Sequence, residues 1–165
     1  MPPEARRAVA RARPQLIETL RTQGKFAEAL KLSDERIQEQ PRLVEPRLTR
    51  ARILEAWARQ DPKQYDSAVA AWTEIRVLLG RLPQRPPEYY EAIYRTASCL
   101  FDQWRATKAP AKLLQAQQVL KATLVQNSKL SGPEMVAQYN ELLKRIASVQ
   151  PAGSVPATPA APKTP

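Results

Sequence analysis

The placement of proline constrains this chain most. Within residues 10–149, Pro14, Pro46, Pro62, Pro87, Pro110 and Pro133 each stand at the head of a run of helix-forming residues. Proline is tolerated in the first turn of a helix, where the backbone donor it lacks would go unpaired anyway, and it disrupts helix interiors and central strands. These prolines therefore predict six helix starts. Asp61, just before Pro62, fits an N-cap, and Ser131 with Glu134 three residues later fits a capping box; both would satisfy orphan N–H groups. No segment alternates apolar and polar residues for long enough to compete as a strand.

The runs between the prolines carry apolar residues at helical period. Phe26, Ala29, Leu30 and Ile37 form one stripe, and Tyr65, Ala68, Val69, Trp72, Ile75 and Leu79 a stronger one. The richest stripe is Tyr90, Ile93, Tyr94, Ala97, Leu100, Phe101 and Trp104, and the last is Met135, Val136, Tyr139, Leu142, Leu143 and Ile146. Stripes of this kind bury themselves against one another, so the expectation is an all-α domain over residues 10–149. Residues 150–165 (QPAGSVPATPAAPKTP) are dominated by proline and alanine, cannot continue a helix, and read as a disordered tail. Residues 1–9 read as a short basic extension.

Composition removes most catalytic chemistries. The 165 residues include no histidine, a single cysteine (Cys99) and four scattered glycines. Ser-His and Cys-His nucleophile pairs, cysteine-rich zinc sites, internal disulfides and glycine-rich phosphate loops are therefore absent. Cys99 falls inside the richest apolar stripe, where a thiol behaves as a small hydrophobe with a raised pKa. Asp61, Asp66, Glu88 and Glu91 lie near expected helix starts, which suits the helix dipole better than paired-carboxylate chemistry. The chain is expected to be no enzyme and to need no cofactor.

The net charge is +10, from 26 Lys and Arg against 16 Asp and Glu. Much of the surplus lies early, where Arg6, Arg7, Arg11, Arg13, Arg21 and Lys25 face only Glu4 and Glu18. Such an excess draws acidic partners: an acidic protein or peptide, or nucleic acid. No apolar run approaches the ~20 residues of a membrane-spanning helix, and no apolar stretch follows the N-terminal charges as in a secretory signal. The chain as written is expected to be cytoplasmic; as a fragment of a longer protein it would give no expectation of compartment.

Set in pairs, the helical runs repeat. Gln23-Gly24-Lys25-Phe26-Ala27-Glu28-Ala29-Leu30, closed by Gln40-Pro41, resembles the second half of a tetratricopeptide (TPR) repeat, with an aromatic after the inter-helix turn, a small residue three positions on, and a closing proline. Tyr65, Ala68 and Trp72, preceded by Ala51 and Leu54, echo it. Ala97 and Leu100, followed by Leu113, Ala116 and Leu120, echo it more loosely. The spacing drifts, with insertions near residues 60–64, 80–87 and 105–109. Small residues at these places let antiparallel helices approach closely, which is the role expected of Ala29, Ala51, Ala68, Ala97 and Ala116.

The resemblance implies TPR-like antiparallel hairpins stacked in a right-handed α-solenoid, with the helix from Pro133 to Val149 as a C-terminal capping helix. It also implies a concave wall, built from the first helix of each hairpin, that binds a peptide or a partner protein. Carried onto this chain, the wall residues are Arg11, Glu18 and Arg21 from the first hairpin, Arg52 and Glu55 from the second, and Tyr94, Ser98, Phe101 and Asp102 from the third. Arginines there would hold carboxylates while the aromatics supply apolar anchors. The two-carboxylate clamp of chaperone-binding members is not matched: of Pro14, Glu18, Thr49, Glu91 and Arg95, which occupy the clamp positions, only Arg95 fits. The same surface suits self-association. The competing expectation is a basic helical nucleic-acid binder, supported by the charge and the Arg-rich first helix, although no recognised nucleic-acid motif is present.

Overall fold

A computed structural model describes the backbone of residues 3–149 and the side chains of residues 12–149. The expected tail, 150–165, lies outside the described residues. Among the described residues seven α-helices follow one another: α1 (Pro3–Thr22), α2 (Phe26–Glu39), α3 (Glu45–Gln60), α4 (Tyr65–Gly80), α5 (Pro87–Thr107), α6 (Pro110–Gln126) and α7 (Pro133–Val149). A single 3-10 turn, Pro62–Gln64, joins α3 to α4, and no strand occurs among the described residues. None of these helices is long and apolar enough to cross a membrane.

The proline signals hold with one exception. Pro46 sits in the first turn of α3, and Pro62, Pro87, Pro110 and Pro133 are the first residues of their elements. Pro14 does not start a helix: α1 begins at Pro3 and runs through Pro14, so the boundary expected at residues 9 and 10 falls inside a helix. Inside the helix Pro14 forfeits its bond to the carbonyl four residues back and its ring crowds that carbonyl, a cost the helix bears here without ending. Asp61 caps as expected, its Oδ1 accepting from Lys63 N at 3.2 Å. The capping box does not form in register. With Pro133 as the first helical residue, Gly132 takes the N-cap place and Ser131 lies outside it.

The turn between α1 and α2 shows why Gly24 is required. Lys25 N donates to Leu20 O and Gly24 N to Arg21 O, the paired bonds of a Schellman closure, with Gly24 at φ +74°. At the end of α5 the C-cap residue itself, Lys108, is left-handed at φ 57°.

Helices pack against their chain neighbours from α1 through α6, and α7 lies against both α5 and α6. The core has three parts. Ile17 and Leu20 of α1 meet Phe26 and Ala29 of α2 and Ile53 of α3. Trp72, Ile75 and Leu79 of α4 pack on Ala51, Leu54 and Ala58 of α3, with Ala92 and Cys99 of α5. Ile93, Ala97 and Leu100 of α5 join Leu113, Ala116 and Leu120 of α6 and Tyr139, Leu142 and Ile146 of α7. Ala29, Ala51, Ala68, Ala97 and Ala116 are all fully buried, as close helix approach demands.

The junction of the last three helices is polar at one point. Tyr139 Oη donates to Tyr90 O at 2.8 Å, and Asn127 Nδ2 donates to Tyr90 Oη at 2.7 Å. Asn127 Oδ1 in turn accepts from Lys129 N and Leu130 N, fixing the loop ahead of α7.

Candidate functional site

Three helices contribute charged side chains to one cleft. Residues three, four and seven apart share a helix face, so Arg52, Glu55, Ala56 and Arg59 line up along α3. Glu18 and Arg21 of α1 and Arg95 of α5 complete the lining of a cleft of about 390 Å³. Arg52, Arg59 and Arg95 have side chains 51%, 56% and 37% exposed.

Glu55 organises the cleft from beneath. Its residue is 5% exposed, and burying a carboxylate requires donors to replace water. Trp72 Nε1 donates to Oε2 at 3.1 Å, Arg59 Nη2 to Oε1 at 2.5 Å, and Arg95 Nη1 to Oε1 at 3.2 Å. The indole that anchors Glu55 is itself fully buried in the α3–α4 core. On α1, Arg21 forks both Nε and Nη2 onto the two oxygens of Glu18. That hydrogen-bonded pair holds the Glu18 carboxyl below its ordinary value and lifts the Arg21 guanidinium above its own. On α5, Glu91 lies 3.6 Å from Arg52 and 3.7 Å from Arg95 Nε, an ion-pair distance without a hydrogen bond. Arg95 Nε is buried and has no hydrogen-bond partner.

Of the wall residues expected from sequence, the structure brings together Glu18, Arg21, Arg52 and Glu55. The side chain of Arg11 lies outside the described residues. Tyr94, Ser98, Phe101 and Asp102 do not line the cleft. Tyr94 stacks on Tyr139 at 6.2 Å, Phe101 is buried and stacks on Trp104 at 5.6 Å, and Asp102 lies 3.7 Å from Arg105. Ser98 is half-buried. Phe101 is thus a core residue: its ring packs among α5, α6 and α7, with Arg145 over it at 5.1 Å.

Sequence reasoning left out Ala56 and Arg59, and it considered Arg95 only as the one match to the chaperone-type carboxylate clamp. The first two share the helical phase of Arg52 and Glu55, a signal present in the sequence. Arg95 is brought in by tertiary packing across 40 residues from Glu55.

A second hollow, of about 450 Å³, lies between α6 and α7 and is lined by Gln117, Lys121, Asn140, Leu143, Lys144 and Ala147. It draws on two helices and holds no carboxylate. Cys99 is 2% exposed, and burial pushes its thiol well above the ordinary range, so it stays protonated. No family model matches the chain, and neither a curated protein nor a solved structure matches it.

Proposed function

We propose that this chain is a protein-interaction or scaffolding module, a TPR-like stack of helical hairpins in a right-handed solenoid with α7 as its cap, which binds a peptide or partner protein through the cleft of α1, α3 and α5. The observation that carries the reading is the cleft itself. The first helix of each successive hairpin supplies charged side chains to one concavity, while the second helices, α2 and α4, supply none of its lining. The buried alanines of each hairpin and the packing of helices in chain order support the repeat reading. A guanidinium whose partner is buried is held in place before a ligand arrives, and such preorganisation lowers the entropic cost of binding.

Affinity capture on the full chain, compared with a variant carrying both Arg52→Glu and Arg59→Glu, tests this. A defined protein retained at about 0.5 M salt and after nuclease by the parent chain, and lost by the variant, supports the cleft. Retention of nucleic acid alone, lost at high salt and indifferent to the substitutions, replaces this reading with that of a basic nucleic-acid binder.

A further inference from the structure

The four arginines of the cleft are not equivalent. Arg21 spends its fork on both oxygens of Glu18. Arg95 is tied to Glu55 and lies against Glu91. Arg59 gives only Nη2 to Glu55, leaving its remaining donors on a side chain 56% exposed. Among the described residues Arg52 donates no hydrogen bond, and it meets Glu91 at 3.6 Å. Recognition capacity therefore sits on Arg52 and Arg59, seven residues apart on α3. That separation is about 10.5 Å along the helix axis, with the small side chain of Ala56 between the two.

Resting on the cleft reading above, we infer that the ligand is an extended acidic peptide segment presenting two carboxylates about 10 Å apart, one to Arg52 and one to Arg59. A segment in polyproline II conformation advances about 9.3 Å in three residues and returns to the same face, so acids at i and i+3 match the arginine spacing. A single phosphate cannot span it. Concentrated double charge is also disfavoured, because Glu18, Glu55 and Glu91 stand around the arginines and leave the group only one positive charge in excess. The same carboxylates oppose the dense phosphate row of a nucleic acid.

Three labelled peptides of equal charge separate these chemistries: a proline-rich peptide with Glu at i and i+3, one with the two Glu adjacent, and one with a single phosphoserine in place of both. Fluorescence anisotropy with the full chain is expected to show the i, i+3 peptide binding at least tenfold more tightly than the other two. Arg52→Gln and Arg59→Gln should each abolish that advantage, while Lys144→Gln, remote from the cleft, should leave it unchanged. Tighter or equal binding of the phosphoserine or adjacent-acid peptide, still dependent on Arg52 and Arg59, overturns the carboxylate spacing and leaves the cleft standing. Binding of no peptide, or binding indifferent to both arginine substitutions, overturns the cleft reading together with this inference.

Discussion

The indole N–H of Trp72 donates to Glu55 at 3.1 Å, joining the most buried aromatic of the α3–α4 core to the floor of a charged cleft. The bond runs from an apolar interior to an arginine cluster, so the cleft cannot be altered at Glu55 without the core registering it. A carboxylate with three donors is well satisfied; its removal strands the indole and leaves Arg95 facing only Glu91 at 3.7 Å.

Glu55→Ala is accordingly expected to destabilise the fold by about 2 to 3 kcal/mol, at or below the range for breaking a buried pair because Arg59 and Arg95 are partly in solvent. Glu55→Gln keeps an acceptor for Trp72 and should cost less. Urea unfolding followed by tryptophan emission measures both; equal midpoints for Glu55→Ala and the parent chain would show that the buried carboxylate holds nothing.

Ala68 has no exposed surface and faces the α3–α4 contact. Ala68→Leu adds bulk where the helices meet closely and should cost on the order of 1 to 3 kcal/mol. An unchanged urea midpoint would mean the helices have room to spare there, against the close approach that the alanine pattern implies.

Gly24 and Lys108 both occupy left-handed backbone, at φ +74° and φ 57°, and they predict opposite outcomes. Gly24→Ala places a Cβ on a conformation that disfavours it and should cost about 1 kcal/mol. Lys108→Gly removes such a Cβ and should stabilise by up to about 1 kcal/mol, offset by the loss of the lysine's contact over the Trp104 ring. Thermal midpoints moving in the same direction for both would contradict the assigned geometry.

Stability is expected to be flat from about pH 5.5 to 8, since the chain has no histidine. Burial raises the thiol of Cys99 and the phenols of Tyr139 and Tyr65. The unfolded chain gives up those protons first, near pH 8.5 for the thiol and pH 10 for the phenols, so it binds fewer protons than the folded chain and stability falls as pH rises above about 8.5. Glu18 and Asp66 run the other way. Hydrogen bonds from Arg21 to Glu18, and from Gln103 and then Lys112 to Asp66, lower their carboxyls, so the stability they contribute is present above about pH 4.5 and lost on further acidification. Urea midpoints across pH 3 to 11 check the plateau and both edges; a rise in stability between pH 9 and 10.5 would refute the alkaline limb.

The helical composition was legible because proline and apolar periodicity are local signals. Pro46, Pro62, Pro87, Pro110 and Pro133 act within the first turn of their own helices, so neighbouring sequence suffices to interpret them. Pro14 misleads for the same reason: nothing near it reveals that a helix is already under way from Pro3. Glu18, Arg21, Arg52 and Glu55 were placed on one wall by the resemblance to TPR hairpins, with helix phase fixing only which residues of one helix share a face. What phase cannot supply is depth. Glu55 reads as an exposed wall residue until Trp72 and Arg95, 17 and 40 residues away, are folded over it. Phe101 reads as an anchor until α6 and α7 close around it, and a stripe in sequence does not reveal how many neighbours a helix will have.

Helix α5 belongs to two of the three core clusters, giving Ala92 and Cys99 to one and Ile93, Ala97 and Leu100 to the other. A stack in which each helix touches only its neighbours can fray inward from either end. Here α5 acts as a splice between the two apolar bodies, with α7 folded back onto it as well as onto α6. Cutting the backbone in the exposed loop at residues 81–85 severs the chain but not the α4–α5 seam, so the two fragments should remain annealed as a nicked complex.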